Sequence, residues 1–457
     1  MAVRSDQLHS HQFTRRRVVA ALAGRDPARG QSGGPAAALA GVMVACLALA
    51  AVGVYGLLRP ADDGSWRDGA AVVVERESGA RFVYRDGVLH PVLNFSSALL
   101  ILGSAQPRSA LVARAALAGV PRGAPLGIPG APDLLPAGGD LVRDPWTVCS
   151  RPGSPGAESV LRVGWSPSGA ALGDRALVAA DPSGGLHLLW RKHRYAIRRA
   201  DLVLAAFAWP RAAGPVVAPA LLNAVPAGPD LGGVAVDGAG RRSAALPGRR
   251  NGQVVVVENS GGGRQFAVVT GRGLADITQV QADLLLAGGG PGAAAIRMSQ
   301  SEYATAPRAP TLVPAGEAAP PATTPELVPP ADALCATFAD GGGPPEIASL
   351  PAVPPRDGEL RAPAVASPAT AAADWILVPP GRGAVVEALA GPGAPNGALS
   401  LVTDLGLRYP VPSRDVLAML GYANVRPGRL PAAVVALLPT GRALDPSAAV
   451  RPVVPGQ

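Results

Sequence analysis

Lysine is nearly absent from this chain. Of 41 lysine and arginine residues, only Lys192 is a lysine, and it lies between Arg191 and His193. A phosphate-binding loop of the G-x-x-x-x-G-K-[ST] type needs a glycine directly before its lysine, because the loop backbone and the lysine hold the phosphates together. The sequence therefore excludes a loop of this type.

Aromatic residues are also scarce, at six each of tryptophan, tyrosine and phenylalanine, so alanine, valine and leucine must build any core. Glycine (57) and proline (49) are abundant, but 48% of the residues are hydrophobic, too many for a disordered protein. The net charge of +8 is spread thinly, with no basic run beyond Arg15–Arg17. This pattern indicates a genomic composition bias, and nucleic acid is not an expected partner.

One long hydrophobic run, Ala36–Leu58, contains no charged residue. As a helix it would be about 35 Å long, enough to cross a bilayer. A cleaved signal peptide has a short charged start and an apolar run of roughly 7–15 residues. This run is longer and follows a polar arm, residues 1–35. We predict an uncleaved transmembrane helix over 36–58, with a signal peptide as the alternative.

The distribution of arginine predicts the orientation of this helix, because segments rich in lysine and arginine remain in the cytoplasm. Arginines before the run are Arg4, Arg15, Arg16, Arg17, Arg25 and Arg29, and those soon after it are Arg59, Arg67 and Arg76. We predict a cytoplasmic arm, residues 1–35, whose amphipathic helix from about Ser5 to Ala23 lies on anionic lipid or docks on a cytoplasmic partner. Residues 59–457 are predicted to be periplasmic.

The chain has three cysteines, and two of them fall in the predicted outer part. Cys46 lies within the hydrophobic run, where it serves as a small apolar residue. Cys149 and Cys335 either form one disulfide or remain two unrelated buried thiols. An oxidising compartment favours the disulfide.

A strand–turn–strand–helix pattern occurs four times in the outer part. The copies are FVYRDGVLHPV with SALLILG, LHLLWRKHRYAI with ADLVLAAFAW, VVENSGGGRQFAVV with ITQVQADLLLAG, and LVTDLGLRYPV with RDVLAMLGY. Their anchors are His90, Tyr195, Phe266 and Tyr409, each followed two positions later by valine or isoleucine. This pattern predicts a compact hairpin-plus-helix unit, in which the helix covers one face of the hairpin.

The copies are spaced irregularly, whereas a stacked solenoid needs a fixed period. We therefore predict small units arranged around other structure. Their expected positions are repeat 1 at about 70–120, a core with repeats 2 and 3 at about 140–340, and repeat 4 at about 375–449.

Between the copies, strand-like runs begin at Arg175 and Asp374. We assign both runs to a central strand-rich domain. Two stretches rich in proline and alanine, Pro307–Asp332 and 341 to about 373, are predicted to be extended and irregular.

Motifs for catalysis are weak in this sequence. Gly164–Ser168 lacks the closing glycine of a nucleophile elbow. His187 and His193 lack a cysteine or acid at metal-ligand spacing. Gly290–Gly292 loosely resembles a dinucleotide-binding turn, but it follows a helix-like stretch instead of a strand. We predict no catalytic residue, no metal site and no cofactor.

Long segments along nearly the whole chain carry a resemblance to a known family. They are QLHSHQFTRRRVVAAL, AAVVVERESGARFVYRDGVLHPVLNFSSALLILGS, VPRGAPLGIPGAPDLLPAGGDLVRDPWTVC, ALCATFADGGGP, VPPGRGAVVEAL and LRYPVPSRDVLAMLGY. In this order they resemble EccB, the single-span membrane component of the type VII (ESX) secretion apparatus of actinobacteria.

The resemblance implies a single transmembrane helix joined to an α+β periplasmic region. That region would have four repeat domains around a central β-rich core, in an elongated, propeller-like shape. The resemblance also implies a Cys149–Cys335 bridge and assembly with EccC, EccD and EccE in the inner membrane. We expect contacts with other copies of the chain as well.

We predict a structural, non-catalytic component that anchors and assembles the periplasmic part of the secretion complex, because small repeated units offer surfaces instead of a reaction centre. One alternative is an ATP-hydrolysing component, since ATPase activity has been attributed to the family. That chemistry needs a phosphate cradle and metal-binding acids. A second alternative is a cell-wall-binding module, which a patch of stacking aromatic residues would favour.

Overall fold

The computed structural model describes Arg15, Val18–Val19 and residues 34–58, 64–106, 108–154, 156–210, 214–290, 292–352, 355–362 and 372–453. The chain divides into two compact units, Met1–Ser65 and Trp66–Gln457.

The first unit contains helix α1, Gly34–Leu58. Its side chains are described from Ala38 to Ala50, and all of them are exposed. Across the part of the chain that is described, no helix has both the length and the apolar character needed to cross a membrane. The helix predicted over 5–23 lies outside the described residues except for Arg15, Val18 and Val19, which are helical.

The described part of the second unit is rich in short strands. They are β1 (Ala71–Glu75), β2 (Arg81–Arg85), β3 (Val88–Pro91), β4 (Arg108–Val112), β5 (Trp146–Pro152), β6 (Ala157–Val163), β7 (Ala170–Ala171), β8 (Ala176–Ala180), β9 (Leu186–Trp190), β10 (His193–Ala196), β11 (Val254–Glu258), β12 (Arg264–Thr270), β13 (Gly273–Ile277), β14 (Ile296–Arg297), β15 (Ala333–Phe338), β16 (Glu346–Leu350), β17 (Leu360–Arg361), β18 (Trp375–Leu377), β19 (Ala384–Leu389), β20 (Ala398–Val402), β21 (Arg408–Val411) and β22 (Gly428–Pro431).

Short helices connect these strands. They are α2 (Phe95–Leu102), α3 (Arg114–Leu117), α4 (Ala200–Ala206), α5 (Pro219–Ala224), α6 (Gln279–Gly288), α7 (Gln300–Thr305), α8 (Arg414–Leu417), α9 (Ala432–Val435) and α10 (Pro446–Ala449). A π-helical turn, Ala418–Tyr422, continues α8. Single 3₁₀ turns lie at Ser65–Asp68 and Gly138–Asp140.

Within the described residues, the strands form one large sheet and four small sheets. The central sheet has seven strands in the order β17-β18-β6-β5-β15-β16-β7. The first, third and fourth small sheets have the orders β3-β2-β1-β4, β13-β12-β11-β14 and β21-β20-β19-β22, and in each the last-named strand pairs parallel with its neighbour. In the second small sheet, β10-β9-β8, no fourth strand pairs with β8 among the described residues; β8 instead makes two isolated parallel bridges, Ala180 to Val216 and Ala176 to Leu327.

Each small sheet is followed by a helix directly after its third strand. Three of these helices begin at a polar N-cap residue, Asn94, Thr278 or Ser413, whose side chain accepts a hydrogen bond from a backbone N–H in the first turn. Such caps satisfy backbone donors that have no partner within the helix. The fourth, α4, begins at Arg199, which has a left-handed backbone (φ 54°) and no side-chain cap.

Hydrophobic clusters join the small sheets in pairs, and the two sheets of a pair need not be neighbours along the chain. The first and fourth small sheets share one cluster, in which Leu99 of α2 lies with Leu417 of α8. The second and third share another through Val203 of α4 and Leu284 of α6. The central sheet packs its own cluster around Trp146, together with residues of α5 and α9.

Several strand assignments made from the sequence differ from the structure. The run from Arg175 is β8, the first strand of the second small sheet, and not part of the central sheet. The run from Asp374 divides, because β18 joins the central sheet while β19 begins the fourth small sheet. Residues 341–373, predicted to be irregular, contain β16, whose Ile347, Ala348 and Leu350 are buried.

Candidate functional site

Two neighbouring strands in the central sheet carry the two outer cysteines. β5 and β15 pair antiparallel, with Cys149 directly opposite Cys335. Both side chains are fully buried, and they form a disulfide (S–S 1.96 Å) between positions 186 residues apart. The predicted bridge is therefore present. Cys46 on α1 is exposed and free.

A cluster of charged side chains, all buried or nearly so except Arg356, lies on the same sheet. This arginine–glutamate cluster consists of Arg151 on β5, Glu158 and Arg162 on β6, and Arg356 and Glu359 just before β17. The Glu359 carboxylate accepts two hydrogen bonds from Arg151, at 3.0 and 2.6 Å, and one from Arg162 at 2.6 Å. The side chains of Arg151 and Glu359 are 0% exposed.

Hydrogen bonds within the cluster hold Arg151 and Glu158 in their charged forms. Burial acts to lower the pKa of Arg151, but the hydrogen bonds to Glu359 and Glu158 outweigh it and raise that pKa. Burial acts to raise the pKa of Glu158, but its bonds to Arg151 and Trp375 lower it. Removing one partner of such a buried pair typically costs about 3–5 kcal/mol, because the other charge remains buried without compensation.

Three of the predicted anchors lie at the same place in their small sheets. Each lies on the third strand of its sheet: His90, Tyr195 and Tyr409. The residue directly before each anchor forms a parallel bridge to a later segment of the chain: Leu89 to Arg122, Arg194 to Ala227, and Arg408 to Thr440. Each anchor packs on a glycine of that segment, respectively Gly123, Gly228 and Gly441, where an added Cβ would overlap the ring. The glycine is required because the later segment passes directly against the ring.

Polar contacts also orient two of these anchors. The Tyr195 hydroxyl donates a hydrogen bond to the carbonyl of Ala319 at 3.0 Å. Nδ1 of half-buried His90 donates to the carbonyl of Ala124 at 3.0 Å. Burial raises the pKa of Tyr195 to about 12 and also raises the pKa of Tyr409.

Phe266 does not occupy the equivalent position. It lies on β12, the second strand of the third small sheet, and is only half-buried. The isolated parallel bridge from the third strand of this sheet to a later segment joins Leu274 to Arg308. The residue equivalent to the other anchors is therefore Ala275. Ala275 and Ala309 belong to one hydrophobic cluster, so an alanine pair takes the place of the ring and glycine.

The remaining residues that the sequence singled out are not brought together. His187 contacts Asp181 at 3.2 Å, and His193 donates to the carbonyl of Arg191 at 3.0 Å. Lys192 lies in the turn between β9 and β10 and pairs with Glu346 at 3.2 Å. Within the described ranges, no group of three or more histidine, cysteine, aspartate and glutamate side chains is placed to hold a metal ion.

Sequence reasoning missed the arginine–glutamate cluster and the glycines that face the anchors. Arg151 and Glu359 are 208 residues apart, so no local pattern links them. The glycines had a detectable signal, because Gly123, Gly228 and Gly441 each follow their ring at a nearly constant spacing along the chain. Comparing the copies beyond their helices would have shown it.

The family model described as "Type VII secretion system ESX-1, transport TM domain B" matches residues 1–453. The chain belongs to the EccB family. Among EccB proteins, it is 30% identical to the "ESX-3 secretion system ATPase EccB3" of Mycolicibacterium smegmatis, with 96% of this chain and 88% of that protein covered. It is 34% identical to the "ESX-2 secretion system ATPase EccB2" of Mycobacterium tuberculosis H37Rv over 240 residues, and spans about half of that relative, 48% of its length.

Solved EccB structures have a similar fold. A chain of an intact ESX-5 inner membrane complex superposes with a TM-score of 0.67 at 24% identity, with 99% of this chain and 96% of that chain covered. An EccB3 dimer from the ESX-3 core complex gives a TM-score of 0.65 at 28% identity, with 83% of this chain and 100% of that chain covered. The α+β architecture of the second unit is thus that of EccB.

Proposed function

We propose that this EccB-family chain is a non-catalytic scaffold of an ESX inner membrane complex. In this role, residues 36–58 of α1 anchor it in the inner membrane, residues 1–35 remain in the cytoplasm and residues 59–457 lie in the periplasm. Family membership supports the complex. The arginine-rich arm before an uncharged helix supports the orientation.

The observation that carries the scaffold role is the construction of the central sheet. Its strands come from positions as distant as Trp146 and Leu377, and the Cys149–Cys335 disulfide joins two of them. Residues of the second and fourth small sheets contribute to the same hydrophobic cluster. A covalently linked platform that carries several small sheets is suited to holding binding surfaces in fixed positions.

The expected partners are EccC, EccD and EccE, together with other copies of this chain. Relatives occur in an ESX-5 inner membrane complex and as an EccB3 dimer. Both observations concern those proteins, and they support the same mode of assembly here.

Two experiments test this proposal. Affinity purification of the full-length chain from its own membranes should recover the other membrane components, whereas recovery of cell-wall polymer alone would support a wall-binding module. The purified chain should hydrolyse ATP no faster than a mock preparation from cells that lack it. If the chain does hydrolyse ATP and one point substitution in it abolishes this turnover, the result would support the ATPase role that the names of its relatives state.

A further inference from the structure

The segment Pro355–Ala362, here called the strap, forms one edge of the central sheet through very few sheet contacts. Only Leu360 and Arg361 pair with β18, opposite Ile376 and Trp375. Leu360 is 43% exposed, so it contributes little apolar burial. Ala362 adds one backbone hydrogen bond beside β18 and packs partly buried against the central hydrophobic cluster. Backbone pairing and apolar burial are therefore confined to the last three residues of the strap.

Arginine and glutamate side chains provide most of the remaining attachment, and Arg162 also donates a hydrogen bond to the carbonyl of Pro355. Glu359 inserts its carboxylate between Arg151 and Arg162, which belong to β5 and β6 and are 0% and 5% exposed. Arg356 pairs with Glu158 of β6, and its guanidinium lies 5.4 Å from the ring centre of Trp375. The strap is thus held by the buried carboxylate of Glu359, with an added ion pair from the exposed guanidinium of Arg356.

The side chains that the central sheet contributes to this contact, Arg151 and Arg162, are suited to bind a carboxylate. Without the strap, Arg151 and Arg162 would face only Glu158 as a neutralising group within the cluster. Two arginines that converge on one point suit a carboxylate, because each guanidinium presents several donors in a fixed plane. Nε of Arg162 is buried and has no hydrogen-bond partner among the described residues, so the receptor has one donor more than Glu359 uses.

Exchange of one carboxylate for another would keep this charge balance. Breaking a buried ion pair is costly when a charge is left alone, but substitution by an equivalent group avoids that cost. A segment that also pairs with β18 would add backbone hydrogen bonds, as in strand addition to a sheet edge.

We propose that Arg151 and Arg162 form a binding site for a glutamate or aspartate on an extended segment of a partner protein. The strap occupies this site in the isolated chain, and the partner's segment displaces it and pairs with β18. This site depends on the arginine–glutamate cluster alone and is independent of the proposed secretion role, so either proposal can fail without the other.

The test uses the full-length chain in detergent and a fluorescent peptide, PRDGELRA, which has the sequence of the strap. Glu359→Gln weakens the strap's own contact, so this variant should bind the peptide with a Kd at least tenfold lower than the wild type. A peptide with glutamine in place of its glutamate should bind at least tenfold more weakly. Glu346→Gln, at the exposed pair with Lys192, is the matched control and should bind like the wild type.

A second measurement needs no variant. Trypsin cleaves after Arg356 and Arg361, and excess peptide should accelerate cleavage at both sites of the wild-type chain at least threefold, because a displaced strap is accessible. The glutamine peptide should have no such effect. A folded Glu359→Gln chain that fails to bind the peptide would overturn the proposal, as would unchanged strap cleavage in saturating peptide. If Glu359→Gln does not fold, the cleavage measurement decides.

Discussion

At the residue scale, His90, Tyr195 and Tyr409 each fill space that a glycine on a later segment leaves open. The third small sheet reaches a similar fit with two alanines, Ala275 and Ala309. The local spacing of ring and valine or isoleucine was enough to find three of the rings from the sequence. It failed for Phe266, because the third strand of that unit, GLADI, has no ring to serve as a marker.

Substitution of Gly441 tests this packing. A Cβ at this position would lie 2.5 Å from Cε1 of Tyr409, and the glycine does not have a left-handed backbone, so the effect of Gly441→Ala is steric. We expect the free energy of unfolding to fall by about 1–3 kcal/mol, as for other overpacked cores.

The matched control is Gly391→Ala, where a Cβ meets nothing within 4 Å, and it should leave stability unchanged. Adding Tyr409→Ala to Gly441→Ala reproduces the alanine pair of the third sheet. The two losses should then sum to more than the loss in the double variant. Strict additivity in urea denaturation would refute the contact.

The buried phenol of Tyr195 predicts a pH dependence. Its pKa is raised to about 12, whereas a tyrosine in an unfolded chain ionises near pH 10. The folded state favours the neutral form, so this contribution to stability is complete below about pH 10 and is lost as the pH rises toward 12. Tyr195→Phe should reduce the slope of unfolding free energy against pH in this range. An unchanged slope would show that the phenol ionises freely.

At the element scale, the strands of the central sheet were the hardest to predict. β16, with the sequence EIASL, follows a run of glycine and proline that indicates a loop, and its burial comes from β15 and β7 on either side. β17 has two residues and is fixed by Glu359, whose local sequence resembles an exposed turn. The hairpins of the small sheets were predictable because their pairing is local, although the additional strand beside β1, β11 and β19 was missed.

The disulfide between β5 and β15 should contribute strongly to the stability of the central sheet. It closes a loop of 186 residues, and disulfides in general contribute about 2–4 kcal/mol, more for longer loops. Cys149→Ala/Cys335→Ala should lower the free energy of unfolding by an amount in this range or above it. Cys46→Ala, the matched control on α1, should leave it unchanged. Equal denaturation midpoints for all three chains would exclude a stabilising role.

At the scale of the whole molecule, the small sheets are not attached equally. The second and fourth contribute residues to the core cluster of the central sheet, and the first shares a cluster with the fourth. The third small sheet has two clusters of its own and joins the others through α6. These associations link segments far apart along the chain, which is why no local sequence pattern predicts them.

This difference predicts the order of local opening. Units with few shared apolar contacts open at lower free energy than the core of a protein. In hydrogen exchange followed by mass spectrometry, the amides of β11–β13 should exchange before those of β5 and β15. Exchange of both regions at one common rate would show that the third small sheet opens only with the whole molecule.

The most direct test of the account is the redox state of Cys149 and Cys335 in intact cells. Cells are quenched in acid, free thiols are alkylated, and the chain is digested without reduction and mapped by mass spectrometry. If the central sheet is a disulfide-linked scaffold in the periplasm, the two cysteines should be recovered in one linked peptide, while Cys46 is alkylated. Recovery of Cys149 and Cys335 as alkylated thiols would contradict both the compartment and the linked scaffold.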